Sequence, residues 1–575
     1  MKGARAILEI LKEYEVKHVF GLPGETSIPL YLEWINFPEI KHILTRDERS
    51  ACFMADGYAK VSYKPGICEA PSVGATHLIP GVIEAYKSST PMVVITTDTP
   101  LNVEKRNMLT GFDQTPLFQP ITKDSITIYK ASDIPFAFRR AFRLATTGKP
   151  GPTHLRIPID VLEEDVPHTN LKAQREFSRY PGHRFCANLK EIERAVNLLI
   201  ESQKPVIICG QGALYSAAWD EIEELAEFLG IPVGTTISGK GSFSESHPLS
   251  IGVVGIRGGT PLSNEVIESA DLIFYIGCNT DFVTTNNWKL PEPDSDKKII
   301  HLDISEVEVS NNYSTDVILI GDAKSSLKEM LKVLKKKLIS PYDYLNLPRT
   351  KAIIESFKKY KEELKEKAIQ ENTSKGLNPL SVIEILNETL NEDYVITVDP
   401  GTSAIYSSAF FKAKKAGRKM LFNFSLGALG YALPAAIGAY FANPGSQIFV
   451  LTGDGSLGFT LGELETISRE NINIKIILFR NDSFGWIKAT MKLIYGSKHF
   501  STEFKEIEYY KVAQDFGIDS YKVENYKDLK LIIEKTLGEE KPAFIEIPVP
   551  SEDELVPPVP SWLERAKKTG LPHIV

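Results

Sequence analysis

The 575-residue chain predicts an α/β protein made of three doubly wound parallel-sheet domains. Length alone allows three or four domains of roughly 150 residues each. Short unbroken apolar runs recur along it, at Met92–Thr96, Pro205–Cys209, Leu272–Ile276, Gln447–Thr452 and Ile474–Phe479, as expected of strands covered on both faces. Glycines close several of these runs and helix-length amphipathic stretches separate them, which is the pattern of parallel strand–helix–strand crossovers.

The first block spans 1–166. The pattern predicts a helix over Ala4–Tyr14, a strand over His18–Phe20, a Gly21-Leu22-Pro23-Gly24 loop and a helix through Ala51–Lys60. Strands follow at Met92–Thr96 and Thr153–Ile157, the latter announced by Pro150, Gly151 and Pro152. The second block spans 188–338, with strands at Pro205–Cys209, Leu272–Ile276 and Lys298–Leu302. A Lys/Glu-rich stretch, Ser340–Lys375, reads as linker plus surface helix. The third block spans 376–550. Beyond it, 551–575 carries Pro557, Pro558 and Pro560 and is expected to be an extended surface tail.

Hydrophobic residues make up 43% and charged residues 24%, enough for several large cores. A net charge of −8 gives no electrostatic case for nucleic acid. The five cysteines include no Cys-x-x-Cys pair, which argues for a reducing compartment, the cytoplasm, over a disulfide framework or a zinc site. Lys and Glu interrupt the first twenty residues, unlike a signal peptide, and no uncharged apolar run reaches the ~20 residues of a membrane span.

The most telling motif is Gly453-Asp454-Gly455, followed 27 positions after the aspartate by Asn481. Apolar runs precede both, so a crossover would set the two strand ends side by side, with a helix over Leu461–Glu470 between them. Asp454 and Asn481 then offer a carboxylate and an amide oxygen to one point, a hard-oxygen set suited to Mg²⁺ holding a phosphate group. Glycine lets backbone N–H groups approach that phosphate, and a following helix N-terminus favours its charge.

This motif resembles the diphosphate and metal motif of thiamine-diphosphate-dependent enzymes. Some 400 residues earlier, Thr45-Arg46-Asp47-Glu48-Arg49-Ser50-Ala51 resembles the segment with that family's activating glutamate. Gly21-Leu22-Pro23-Gly24-Glu25, Gly74-Ala75-Thr76-His77 and Gly427-Ala428-Leu429-Gly430-Tyr431 complete a series in the order of the acetolactate synthase and pyruvate oxidase group. The resemblance implies a pyrimidine-binding first domain, a central domain and a diphosphate-binding third domain. It also implies a homodimer or homotetramer, the cofactor meeting the first domain of one chain and the third of another. Asp454, Asn481 and the Ser483 carbonyl would hold Mg²⁺. Gly24, Gly427, Gly453, Gly455, Ser456, Phe484 and Gly485 would line the cofactor, and Leu429 would wedge beneath it. Glu48 would bond the pyrimidine ring, a role that demands burial favouring its protonated form. Glu25, Thr26, His77, Gln114 and Ile487 would form the pocket for a 2-oxo acid.

The implied chemistry is decarboxylation with carboligation. Pyruvate-oxidase-like oxidation, simple decarboxylation and a non-catalytic cofactor-binding subunit are the alternatives. Acetolactate synthases carry a Trp nine positions after the metal-binding Asn, where Thr490 stands here, and an Arg-Phe-Asp-Asp-Arg stretch where this chain has Asn279-Thr280-Asp281-Phe282-Val283. Arg480 replaces the Asn that usually precedes the ligand Asn, and Leu109-Thr110-Gly111 replaces a Phe-Gln-Glu segment. The Arg480 departure leaves the metal site intact but changes its surroundings; the other three put the second-substrate site in doubt. Gly210-Gln211-Gly212, Gly255-Ile256-Arg257-Gly258-Gly259 and Asp303 are compatible with FAD in the central domain, although glycine after a strand also serves plain turns.

Overall fold

The computed structural model describes residues 1–166, 171–370, 372–373, 376–496 and 498–574. Three six-stranded parallel sheets organise it. The first holds β1 (His18–Gly21), β2 (Lys41–Leu44), β3 (Gly66–Ala70), β4 (Met92–Asp98), β5 (Ser125–Thr127) and β6 (Pro152–Pro158), in the order β2-β1-β3-β4-β6-β5. The second holds β7 (Pro205–Cys209), β8 (Val233–Thr235), β9 (Ser250–Val253), β10 (Leu272–Ile276), β11 (Lys298–Asp303) and β12 (Val317–Ile320), in the order β12-β11-β10-β7-β8-β9. The third holds β13 (Tyr394–Val398), β14 (Met420–Phe422), β15 (Gln447–Gly453), β16 (Ile474–Arg480), β17 (Asp519–Lys522) and β18 (Ala543–Pro548), in the order β14-β13-β15-β16-β18-β17.

Counted within each sheet, the first and third share one strand order, and the second has the order of a dinucleotide-binding sheet. β4, β6, β7 and β10 are buried along their whole length, which explains why their sequences run apolar without alternation. β15 and β16 are neighbours, so the ends that carry Asp454 and Asn481 emerge side by side.

The chain forms two compact units. One comprises Met1–His183 with 425–448 and 457–474; the other comprises Arg184–Phe424 with 449–456 and 475–575. In the first, the helix Glu48–Ser62 is buried on nearly every face, and the helix Ala432–Ala442 packs across it. The crossing is tight because Gly57 meets the Ala435 carbonyl and Gly438 meets that of Met54, leaving no room for a Cβ at either. In the second, the helix Pro348–Gln370 occupies most of the Lys/Glu-rich stretch.

The end of the chain differs from expectation. Instead of an extended tail, Pro560–Thr569 is a helix whose Trp562, Leu563 and Ala566 are buried with Ile405, Ala489 and Leu493. Pro560 opens this helix, where a missing N–H leaves no bond unmade, so it starts the helix instead of preventing one.

Candidate cofactor site

The two motifs lie in different compact units. In the first unit, Asp47 caps the helix Glu48–Ser62 by accepting the Arg49 N–H at 2.7 Å, which sets Glu48 at the first helical position. Glu48 is 6% exposed, and its Oε2 lies 2.9 Å from Nδ1 of His77, a largely exposed ring. Gly74 lies so close to the Glu48 carboxylate that a Cβ there would collide with Oε1, which explains the glycine at this position. Asp47, Glu48 and His77 bring ligand-type atoms within 4.8 Å of one another. Asp47 is occupied in capping, so the remaining functional element is an acid–imidazole pair.

Thr26 is buried and bonds Thr97 Oγ1 at 2.8 Å, while Gln114 donates to the Thr97 carbonyl at 3.1 Å. Gln114 is fully buried and its Oε1 has no partner among the described residues. Glu25 is exposed at the start of the short turn Glu25–Ser27, which Ser27 closes on Gly24 at 3.0 Å. Gly427 and Leu429 lie in the turn before the helix Ala432–Ala442, and the buried Glu84 anchors that turn by accepting the Leu426 N–H at 2.9 Å. Sequence reasoning missed the bond of half-buried Tyr31 to buried Glu69, with His42 at 2.9 Å from the Tyr31 hydroxyl. Its signal is faint, because isolated Tyr, His and Glu in a first block have many ordinary uses.

In the second unit, Asp454 follows β15, and its carboxylate accepts N–H groups from Gly455 at 2.9 Å, Asp482 at 2.6 Å and Asn481 at 3.3 Å. Asn481 Oδ1 accepts the Ser483 N–H and hydroxyl, each at 3.3 Å. Asp482 takes a left-handed φ of 52°, which turns the chain sharply between the two. Gly453 ends β15, and Ser456 is buried in the helical turn Asp454–Leu457. Phe484 packs on Phe504 at 4.7 Å and against Gly455, closing the loop. Ile487 is exposed on the helix Gly485–Leu493.

Burial pushes the Asp454 carboxyl up to about 7, against the pull of its N–H donors. Among the described residues no Lys or Arg pairs with it. A buried carboxylate without a cationic side chain, bonded to the backbone N–H of Asn481, fits the donor chemistry of a hard divalent cation. Glu552, missed because it lies in the stretch read as a tail, supports the loop from behind. It accepts the Thr402 hydroxyl at 2.8 Å, faces Asn481 Nδ2 at 3.5 Å, and leaves no room for a Cβ at Gly485. Arg480 pairs with Glu506 at 2.9 Å and Glu546 at 3.1 Å.

The central-domain glycines have a packing explanation. Gly210 and Gly212 both press on the backbone of Gly277, so each is required for the close approach of β7, β10 and the following turn. These positions therefore lend no support to a flavin.

The N-terminal TPP binding domain of thiamine pyrophosphate enzymes matches residues 1–117, the central domain matches 192–330, and the C-terminal TPP binding domain matches 399–547. The chain belongs to the thiamine pyrophosphate enzyme family. Within it, the chain falls in the group of acetolactate synthase large subunits and is a thiamine-diphosphate-dependent enzyme. It is 34% identical to the "Probable acetolactate synthase large subunit" of Methanocaldococcus jannaschii, over 97% of this chain and 94% of that one. It is 33% identical to the same-named protein of Methanococcus aeolicus, again over 97% and 94%. With the "Acetolactate synthase large subunit" of Lactococcus lactis it shares 31% identity over 99% of this chain and 96% of the relative. Glu48 and His77 fall inside the matched N-terminal TPP binding domain, and Asp454, Asn481 and Ser483 inside the matched C-terminal one.

Proposed function

We propose that this enzyme decarboxylates a 2-oxo acid and joins the remaining fragment to the carbonyl of a second, with thiamine diphosphate and Mg²⁺, a reading in keeping with relatives named acetolactate synthase. The observation that carries the reading is Glu48, buried against Gly74 and 2.9 Å from His77 at the start of its helix. A buried acid in that place has a use in cofactor activation and none in a subunit that merely binds.

Thiamine diphosphate, when bound, supplies a carbanionic carbon that adds to the 2-oxo acid and takes up the electron pair left by departing CO₂. The chain does the rest. Glu48 would bond the pyrimidine ring nitrogen, and its burial keeps water from competing for that contact. His77 Nδ1, within reach of Glu48, passes protons between that acid and the exposed side of its ring. The Asp454 and Asn481 side-chain oxygens and the Ser483 carbonyl would hold Mg²⁺, and Gly453, Gly455 and Ser456 would contact the cofactor's diphosphate. Gly24, Gly427, Leu429, Phe484 and Gly485 would complete the cofactor contacts; Glu25, Thr26, Gln114 and Ile487 would face the substrate. The active form is a homodimer or homotetramer in the cytoplasm. All five cysteines are free, which agrees with a reducing compartment, and among the described residues no helix is long and apolar enough to cross a membrane.

The test is product analysis after supplying pyruvate to protein reconstituted with thiamine diphosphate and Mg²⁺, with and without oxygen. Acetolactate and CO₂ in equal amounts, with no oxygen uptake, are expected. Acetaldehyde alone would make it a simple decarboxylase, and oxygen-dependent acetyl products would make it an oxidase.

A further inference from the structure

Glu463 opens the helix Glu463–Glu470 and is a carboxylate held almost wholly out of water, 1% exposed. Among the described residues no Lys or Arg side chain pairs with it; the Arg46 guanidinium lies 4.0 Å from Glu465 instead. Glu463 Oε1 accepts the backbone N–H of Arg46 at 3.0 Å, across 417 positions of sequence, and Oε2 accepts the Thr466 hydroxyl at 2.7 Å. Burying a carboxylate is costly unless its oxygens are bonded, and one of these two bonds goes to the turn that presents Glu48. Burial raises its pKa, opposed by the Thr466 and Arg46 hydrogen bonds.

That bond does not stand alone. β2 is an edge strand of the first sheet, and the segment 459–470 ties down both it and the turn that follows. Lys41 Nζ pairs with Glu470 at 2.6 Å, Arg469 Nη2 donates to the Leu44 carbonyl at 2.6 Å, and Arg49 Nη2 donates to the Phe459 carbonyl at 3.0 Å. These three contacts are exposed, so water competes for them, whereas the Glu463 carboxylate is shielded. Within the first sheet, the Thr45 N–H bonds the Gly21 carbonyl at 2.9 Å, and the Asp47 side chain caps the helix. The three residues leading into Glu48 are thus each anchored, and the middle anchor is Glu463.

We infer that Glu463 is a positioning residue for Glu48: it fixes the turn 45–47 so that the Glu48 carboxylate stays against Gly74 and within reach of His77. The inference rests on the proposed part of Glu48 in cofactor activation and adds a residue that acts through it. A carboxylate suits the task because both oxygens accept, one from the Arg46 N–H and one from the Thr466 hydroxyl that holds the side chain in place. Gln at this position keeps an oxygen for the Arg46 N–H and turns its NH₂ to Thr466, whose hydroxyl then accepts. Ala keeps neither bond. A reacting group misplaced by about 1 Å loses on the order of 10²-fold in rate, so the two substitutions part clearly.

The experiment has one arm without cofactor. In cofactor-free protein, amide hydrogen exchange of the segment 44–49 should quicken by about 10-fold or more in Glu463→Ala and return to the wild-type rate in Glu463→Gln. In protein loaded with thiamine diphosphate and Mg²⁺, deuterium uptake at the cofactor's acidic carbon should slow by about 10- to 100-fold in the Ala variant, with cofactor affinity kept within about threefold, and recover in the Gln variant. Arg469→Ala removes an exposed tie from the same set and covers the case in which Glu463→Ala does not fold; it should slow uptake in the same sense, but less. Affinity that falls as far as the uptake rate, or a Gln variant no better than Ala, would make Glu463 merely structural and overturn the inference. Glu48→Gln is the control. If it leaves deuterium uptake unaltered, the activation reading falls and this inference with it; if it slows uptake while the Glu463 and Arg469 variants do not, the inference alone falls.

Discussion

Asn481 and Glu552 face each other, amide Nδ2 to carboxylate Oε2, at 3.5 Å, while the other carboxylate oxygen accepts the Thr402 hydroxyl at 2.8 Å. Glu552 thereby fixes which face of the Asn481 amide is turned to the metal loop, with Oδ1 left on the Ser483 side. Burial raises its pKa, opposed by the Thr402 hydrogen bond. Glu552→Gln preserves the shape and an acceptor for Thr402 but offers an NH₂ or a single oxygen to Asn481. The expected result is a Mg²⁺ affinity lower by about 10-fold or more, with an unchanged or slightly raised melting temperature. Magnesium titration of cofactor binding measures the first and a thermal scan the second; unaltered metal affinity would remove Glu552 from the site.

Glu48→Gln should leave thiamine diphosphate affinity close to that of the wild type and cut turnover by about 10²- to 10⁴-fold, since an amide cannot exchange the proton. Gly74→Ala tests the same arrangement through its neighbour. The added methyl occupies the space of the Glu48 carboxylate, so turnover should fall in a protein that still folds, at a stability cost of about 1–3 kcal/mol. Steady-state kinetics beside equilibrium cofactor binding separate the two quantities; a Gly74→Ala enzyme of full activity would show that the carboxylate need not lie there.

Asp454→Ala removes the charged ligand while the N–H groups of Gly455, Asn481 and Asp482 stay in place. Metal-dependent retention of the cofactor on desalting should drop by more than about 100-fold. Retention that still responds to Mg²⁺ and EDTA as in the wild type would put the metal elsewhere.

Much of this was readable from residues alone, and the reasons differ by element. β4, β7, β10, β15 and β16 announce themselves because a parallel strand under helices on both faces has no polar alternation to confuse its apolar run. β2 and β5 do not: β2 is exposed or half-buried at three of its four positions, and β5 is half-buried throughout. Asp454 and Asn481 were legible because one crossover fixes their spacing. Glu552 was not, since three nearby prolines suggested a tail, whereas Pro560 in fact opens a helix that buries Trp562.

Glu84 gives the fold a pH dependence with a definite sign. It is fully buried and accepts the Leu426 N–H at 2.9 Å. Burial raises its pKa to about 7, with the Lys60 charge opposing and that of Asp56 reinforcing. A carboxyl whose folded pKa exceeds its unfolded value binds more protons in the native state. Its contribution is therefore intact below about pH 4.5, falls as pH rises towards 7, and levels off above that. The full loss is on the order of 3 kcal/mol. Glu84→Gln keeps an oxygen for the Leu426 N–H and does not titrate, so it escapes this loss. Its apparent unfolding midpoint, compared with the wild type, should move upward between pH 5 and pH 8. Thermal or urea unfolding at the two pH values reads the difference directly, and parallel behaviour of the two proteins would mean that Glu84 stays ionised in the fold.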